Sequence, residues 1–309
     1  MKSITSSLAK GIVLSLLSIN MIFAAESKTP VLVSDEWLAG HLKDSNLVVL
    51  TVADKMWMYK SGHIPGARFL WVSSYATATP ELGFELVPLK QLKAAMEKLG
   101  VSNSSRVVLC STGGNVSATA RAYVTMEYLG LGDRTSILDG GFEGWKAAGN
   151  PVSKETPSFK TSSLQPHLKA DAIVNAEYVR KHLAKNGVAI LDARAPNFYS
   201  GKDSGGFLRA GHIPGALNLY YATLFDTANR YLPLDSLTAK FAAAGIKPGD
   251  ELITYCHVGQ TASSAYVGAK ILGYQVHLYD GSFEEWSSRE DLPVVLDTRQ
   301  DTSRSKMFH

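Results

Sequence analysis

Short apolar runs alternate with longer amphipathic ones along most of this chain. Val48 to Val52, Val107 to Leu109, Ile190 to Leu191 and Leu252 to Tyr255 are strand-like, with little polar alternation. Between them, Leu89 to Leu99, Ala118 to Leu129, Leu234 to Ala244 and Ala262 to Leu272 carry helical spacing. Strands that are apolar on both faces and separated by helices predict an α/β fold, a mainly parallel sheet with helices on both faces.

The pattern occurs twice. Gly62-His63-Ile64-Pro65-Gly66-Ala67 returns unchanged as Gly211-His212-Ile213-Pro214-Gly215-Ala216. Around each copy the order is the same: an apolar run ending at Leu50 or Leu191, the repeated turn, and an apolar run ending at Cys110 or Cys256. Asp139-Gly140 or Asp280-Gly281 follows, then Phe142 and Trp145 or Phe283 and Trp286. A duplicated order of this kind predicts tandem domains, over 30–150 and 171–296. Residues 151–170 are polar, contain Pro157 and Pro166, and read as the linker; 297–309 read as a polar tail.

Residues 1–25 hold Lys2 and Lys10, an apolar stretch from Ile12 to Phe23, and Ala24-Ala25. This is the pattern of a signal peptide, which predicts export to the periplasm; retention as an anchor and release from the cell are the alternatives. Removing its two lysines takes the formal charge from +3 to about +1, so no nucleic-acid partner is implied. After cleavage no stable membrane insertion is expected. The two cysteines form no CxxC pair, and no metal-ligand cluster is visible, so no cofactor is expected.

Cys256 stands where a strand-like run gives way to His257-Val258-Gly259-Gln260-Thr261-Ala262 and a helix. A thiol there meets the N–H groups of a tight loop and the positive end of a helix, both of which favour thiolate. A buried structural cysteine is the alternative. Phosphatase chemistry needs an arginine six residues on, where Ala262 and Val116 stand. Thiol-disulfide exchange lacks a resolving cysteine. Sulfur transfer needs only a thiolate, an anion-stabilising loop and positive groups, for which Arg194, Arg209 and Arg230 are candidates.

The repeated Gly-His-Ile-Pro-Gly-Ala turns, Asp192-Ala193-Arg194 at a strand end and the Cys256 loop together resemble the two-domain thiosulfate/3-mercaptopyruvate sulfurtransferase family, built of tandem rhodanese-like domains. The resemblance implies that Cys256 carries a persulfide, that His257 to Ala262 form its cradle, that Arg194 orients an anionic donor and that Asp192 supports this architecture. Arg209 is a further candidate for the donor pocket. It also implies a non-catalytic first domain, in which Thr51 and Ala53 replace Asp192 and Arg194 while Cys110 occupies the corresponding strand end.

The partners expected are a small anionic sulfur donor and an acceptor: cyanide, a small thiol or a protein thiol. Thiosulfate is the expected donor, on the strength of export and of charge on His257. The alternatives are 3-mercaptopyruvate, or a sulfur carrier that does not turn over. His63 and His212, in identical turns, are expected to be structural, and Trp145 and Trp286 to be core anchors.

Overall fold

A computed structural model of the chain describes residues 28–296; the expected signal peptide and tail lie outside the described residues. The first half forms strands β1 (Leu32–Val33), β2 (Leu47–Ala53), β3 (Arg68–Trp71), β4 (Ala76–Thr77), β5 (Glu85–Leu86), β6 (Arg106–Ser111) and β7 (Thr135–Leu138). The second forms β8 (Ile173–Val174), β9 (Val188–Asp192), β10 (Leu217–Asn218), β11 (Glu251–Tyr255) and β12 (Val276–Tyr279). One sheet has the order β1-β7-β6-β2-β3 and the other β8-β12-β11-β9-β10, the same topology with every pair parallel. The duplication seen in the sequence is thus a duplication of sheet order.

Helices α1 (Asp35–His41), α2 (Met56–Ser61), α3 (Leu89–Lys98), α4 (Val116–Tyr128) and α5 (Gly141–Ala147) accompany the first sheet. The second carries α6 (Ala176–His182), α7 (Pro196–Tyr199), α8 (Leu234–Ala243), α9 (Ala262–Ile271) and α10 (Ser282–Ser288). Each outer sheet face packs its own apolar cluster, around Trp145 in the first half and Trp286 in the second. Their indoles donate to the carbonyls of Pro151 and Pro293, both at 2.7 Å, which locks the chain leaving each domain onto its core. His63 and His212 stack on Tyr59 and Tyr199, with ring centroids 3.8 Å apart in both pairs.

The inner faces are different, because α4 and α9 pack on each other and one apolar core runs through both halves. Both helices are buried nearly all round, which requires little bulk where they touch. Ala118, Ala122, Ala265 and Ala269 provide that, and the hydroxyls of Ser117 and Ser264 meet at 3.0 Å across the contact. The 151–170 segment is laid along the first half: Leu164 is buried, and Ser162 and His167 donate backbone bonds to Glu97 and Leu129.

Each half also sends a short arm over the other. From the first, the β4–β5 hairpin reaches the second domain, where the N–H groups of Gly83 and Leu86 donate to Glu284 and Asp280 at 2.6 and 3.1 Å. From the second, the turn closed by Phe225 and Tyr231 reaches the first, where Tyr231 N–H donates to Asp139 at 3.0 Å. The hairpin brings Glu85 among Asp280, Glu284 and Glu285. Burial first, then these like charges, push its carboxyl up to about 7 against the opposing pull of Arg121.

A carboxyl raised on folding holds its proton more tightly in the folded state, so its contribution to stability is present at low pH. That contribution drains away as pH rises from the ordinary carboxylate value toward about 7. Replacing Glu85 with Gln should therefore raise the Tm over wild type by roughly 1–4 °C at pH 8, with the gain closing by pH 5. An equal gain at both pH values in thermal melts would refute the assignment.

Candidate functional site

Cys256 follows the last residue of β11 and is 1 % exposed. The carbonyls beside it are drawn outward: Cys256 O and His257 O accept from Phe283 and Glu284 N–H at 3.1 and 3.0 Å. Gly259 O accepts from the Ser263 hydroxyl at 2.8 Å. Among the described residues no acceptor takes the N–H groups of His257 through Ala262. Gly259 has φ +81°, and a Cβ there would stand 2.8 Å from the Asp280 carbonyl oxygen, so only glycine fits. Thr261 precedes α9 without a side-chain cap, and the first-turn N–H groups of Ser263 and Ser264 turn back to Gln260 O and Thr261 O at 3.2 and 3.1 Å, so the open donors are those of the loop itself. A run of unspent donors beside one thiol is suited to holding a singly charged sulfur.

The N–H of Cys256 itself donates to the Ser282 hydroxyl at 3.2 Å, which in turn donates to Tyr279 O at 2.9 Å. Ser282 has φ +50°, a conformation that costs a non-glycine residue about 1 kcal/mol. The first half has Gly141 there, at φ +59°. Sequence reasoning missed Ser282, although setting Gly140-Gly141 against Gly281-Ser282 in the repeats would have exposed it.

Asp192 and Arg194 form a closed buried unit. Arg194 donates to the Asp192 carboxylate through Nη2 at 2.6 Å and Nε at 3.0 and 3.1 Å, and to Gly211 O at 2.7 Å. Its guanidinium lies 3.9 Å over the Phe283 ring. Burial alone would lower the Arg194 pKa, but the Asp192 bonds and charge outweigh it and raise it, with the Cys256 sulfur adding to the same direction. Arg194 is thus electrostatically in range of the thiol but largely spent on tying the β9 end to the Gly211 turn.

Three other expectations are corrected. Arg209 does not enter a donor pocket: it donates to the carbonyls of Trp286, Ser287, Arg289 and Leu292 at 2.6–2.8 Å, closing the end of α10. Arg230 belongs to the first domain's surroundings, bonded to Asp35 and Asp139 O at 2.8 and 2.7 Å. The charge expected on His257 is disfavoured too. It lies against Phe198 and Phe207, with centroids 4.6 and 5.5 Å away, and burial, followed by the Arg194 charge, lowers its pKa.

The first half corrects the reading of Cys110. Thr51 pairs with Cys110 and Val52 with Ser111, whereas Asp192 pairs with Tyr255. Cys110 is therefore the counterpart of Tyr255, and Ser111 that of Cys256. A one-residue offset in a strand reverses the face, so the Cys110 side chain packs outward with Val33, Leu38 and Trp145. Burial, with the Glu143 and Asp35 charges added, pushes its thiol far up. The loop that follows is partly filled: Gly113 N–H donates to the Glu143 carboxylate at 3.0 Å, Asn115 caps α4 through Ala118 N–H, and Val116 N–H bonds Gly114 O. Glu284, at the place of Glu143, bonds Gly83 N–H instead.

The rhodanese-like domain family matches residues 34–148 and 175–289. The chain belongs to the rhodanese-like family. Rhodanese-type sulfurtransferase chemistry through a cysteine persulfide goes with that membership. The chain is 30 % identical over 279 residues to the sulfur carrier protein TtuD of Thermus thermophilus, covering 86 % of this chain and 96 % of that one. It is 30 % identical over 251 residues to the thiosulfate sulfurtransferase of Azotobacter vinelandii, covering 81 % and 90 %. It is 29 % identical over 277 residues to the 3-mercaptopyruvate sulfurtransferase of Escherichia coli K12, covering 85 % and 96 %. Among the described residues no His, Cys, Asp or Glu group can hold a metal ion, and no helix is long and apolar enough to cross a membrane.

Replacing Cys110 with Ser places a hydroxyl in an apolar cluster and should cost about 1–3 kcal/mol in chemical denaturation. Sulfurtransferase activity should stay within about twofold, because Cys110 packs on the outer face of the first sheet while Cys256 belongs to the core shared by both halves. A large loss of activity from a folded Cys110→Ser variant would give that thiol a role in turnover.

Proposed function

We propose that Cys256 is the persulfide-bearing cysteine of an exported sulfurtransferase, with thiosulfate as donor and cyanide or a small thiol as acceptor. The observation that carries this reading is the run of unspent N–H donors from His257 through Ala262 around a buried thiol. The Cys256 thiolate attacks the outer sulfur of thiosulfate; the sulfur–sulfur bond of the donor breaks and sulfite leaves with the electron pair. The acceptor then attacks the outer sulfur of the persulfide, and the Cys256 thiolate departs from it. Charge rests on sulfur throughout, so donors of hydrogen bonds, with no acid or base at the thiol, are what the loop must supply. Asp192 and Arg194 hold the neighbouring strand end in register with this loop, and Arg194 adds positive charge toward the donor.

Support for thiosulfate comes from the Azotobacter relative and from the fit of a compact anion to a ring of N–H groups. One observation favours a second donor. Burial lowers the His257 pKa and Val258 carries no charge, so the two residues after the thiol do little to select a dianion, and 3-mercaptopyruvate is the competing substrate.

The test is intact mass after incubating the reduced protein with each donor and removing the excess. Wild type and Cys110→Ser should gain about 32 mass units, the mass of one sulfur, and Cys256→Ser none. Cyanide should strip the gain over repeated cycles, whereas a single discharge without reloading would make the protein a carrier. No gain from either donor would overturn the proposal.

Because burial sets the His257 pKa below its ordinary value, moving from pH 7 to 8 should change the charge on this ring less than that on a free imidazole. His257→Gln should therefore leave the pH profile of thiosulfate kcat/KM unaltered over that range. A profile that rises toward pH 7 in wild type and flattens in the variant would restore charge to His257.

A further inference from the structure

Behind the cysteine loop lies a cation that comes from the other repeat. Arg121 projects from α4 across the α4–α9 contact, is 0 % exposed, and meets Asp280 through Nη2 and Oδ1 at 2.5 Å. Its Nη1 would stand 3.4 Å from a Cβ on Gly259, and the Asp280 carbonyl oxygen 2.8 Å from the same point, so pair and loop are in contact. The other Asp280 oxygen takes Leu86 N–H at 3.1 Å. Among the described residues neither Nε nor Nη1 of Arg121 finds a hydrogen-bond acceptor, and Phe84 lies 5.7 Å from the guanidinium on the arm side.

The repeats make this cation informative. Asp139 and Asp280 are equivalent, and each receives a backbone N–H from the arm of the opposite half, Tyr231 or Leu86. The matching helix α9 has no arginine, and its one cation, Lys270 in the last turn, pairs with Glu127. A buried guanidinium therefore lies behind the loop that carries Cys256, and α9 offers none behind the loop filled by Glu143. A buried cation with unspent donors is costly unless a compensating negative charge is near. Asp280 compensates part of it, and Glu85, whose carboxyl Arg121 pulls down against burial, lies on the arm beside the pair. The Nη1 side borders the Gly259 part of the loop whose sulfur becomes an anion in each half of the catalytic cycle.

We infer that Arg121 is a positioning residue for the reaction: the first repeat supplies the charge that backs the Gly259 side of the cradle and favours anionic sulfur on Cys256, with Asp280 moderating it. The inference rests on the reading of Cys256 given above. It assigns the amino-terminal half a direct electrostatic part in the chemistry of the carboxyl-terminal half.

Two substitutions break the same ion pair and have opposite electrostatic signs. Arg121→Met leaves the Asp280 charge behind the loop, and Asp280→Asn leaves the Arg121 charge there. The measurement is the rate of Cys256 alkylation by iodoacetamide, a neutral reagent, followed by peptide mass across pH in the full chain. The pH of half-maximal rate should rise by about half a unit or more in Arg121→Met and fall by a similar amount in Asp280→Asn. Arg121→Lys should restore most of the wild-type position. With thiosulfate, Arg121→Met should lower kcat about tenfold while KM moves less than about threefold.

Shifts of the same sign in both variants, or none in either, would reduce Arg121 to a structural contact and overturn the inference. If Arg121→Met does not fold, Asp280→Asn alone decides, a downward shift supporting the inference and an unchanged or upward one overturning it. Alkylation does not require turnover, so a wild-type protein that accepts no sulfur would defeat the proposed function and still leave the Arg121 result readable.

Discussion

The N–H groups of a tight loop leading into a helix bind whatever anion the fold brings to them, and in this chain the two copies of that loop meet different anions. In the first repeat the Glu143 carboxylate takes Gly113 N–H, and Asn115 and Val116 N–H turn to Thr112 O and Gly114 O, so several of the donors are spent within the fold. In the second, Glu284 is drawn away to Gly83 N–H, Thr261 caps nothing, and the donors around Cys256 stay open. The sheets, helices and repeated turns are alike; the placement of one carboxylate separates a filled loop from one that can hold a sulfur anion.

That placement depends on the two halves being one body. Gly83 lies on an arm of the first half, and it reaches Glu284 because α4 and α9 share a continuous core of small side chains. The same packing carries Arg121 behind the loop and fixes Asp280 between Arg121 and Leu86. The first repeat has no cysteine in the corresponding position, since Ser111 stands there, yet it shapes the site by occupying Glu284 and by lending a cation.

Much of the fold was legible because it is local or repeated. Apolar strand runs, helical spacing and the duplicated Gly-His-Ile-Pro-Gly-Ala turn suffice for two parallel α/β units. Cys256 and its loop were legible for the same reason: a thiol between a strand and a helix, with Gly259 at the bend. The partners of long side chains were not. Arg209 and Arg230 look alike as nearby cations in the sequence, but one closes α10 and the other bonds Asp35 and Asp139, contacts set by tertiary packing. Cys110 misled through register. Strand ends line up in the sequence to within a residue, and one residue in a strand is the difference between the two faces of the sheet.

The central claim is that the N–H groups of the Cys256 loop are held open for an anionic sulfur while those of Gly113, Asn115 and Val116 in the first repeat are spent within the fold. Amide proton shifts of uniformly 15N-labelled protein, recorded reduced and after loading with thiosulfate, address it most directly. The account predicts downfield shifts confined to His257 through Ala262, with Gly113 to Val116 unmoved, because charge-assisted hydrogen bonds form where donors were unspent. Shifts of equal size in both loops, or loading of Cys256 with the amides of its own loop unmoved, would contradict it.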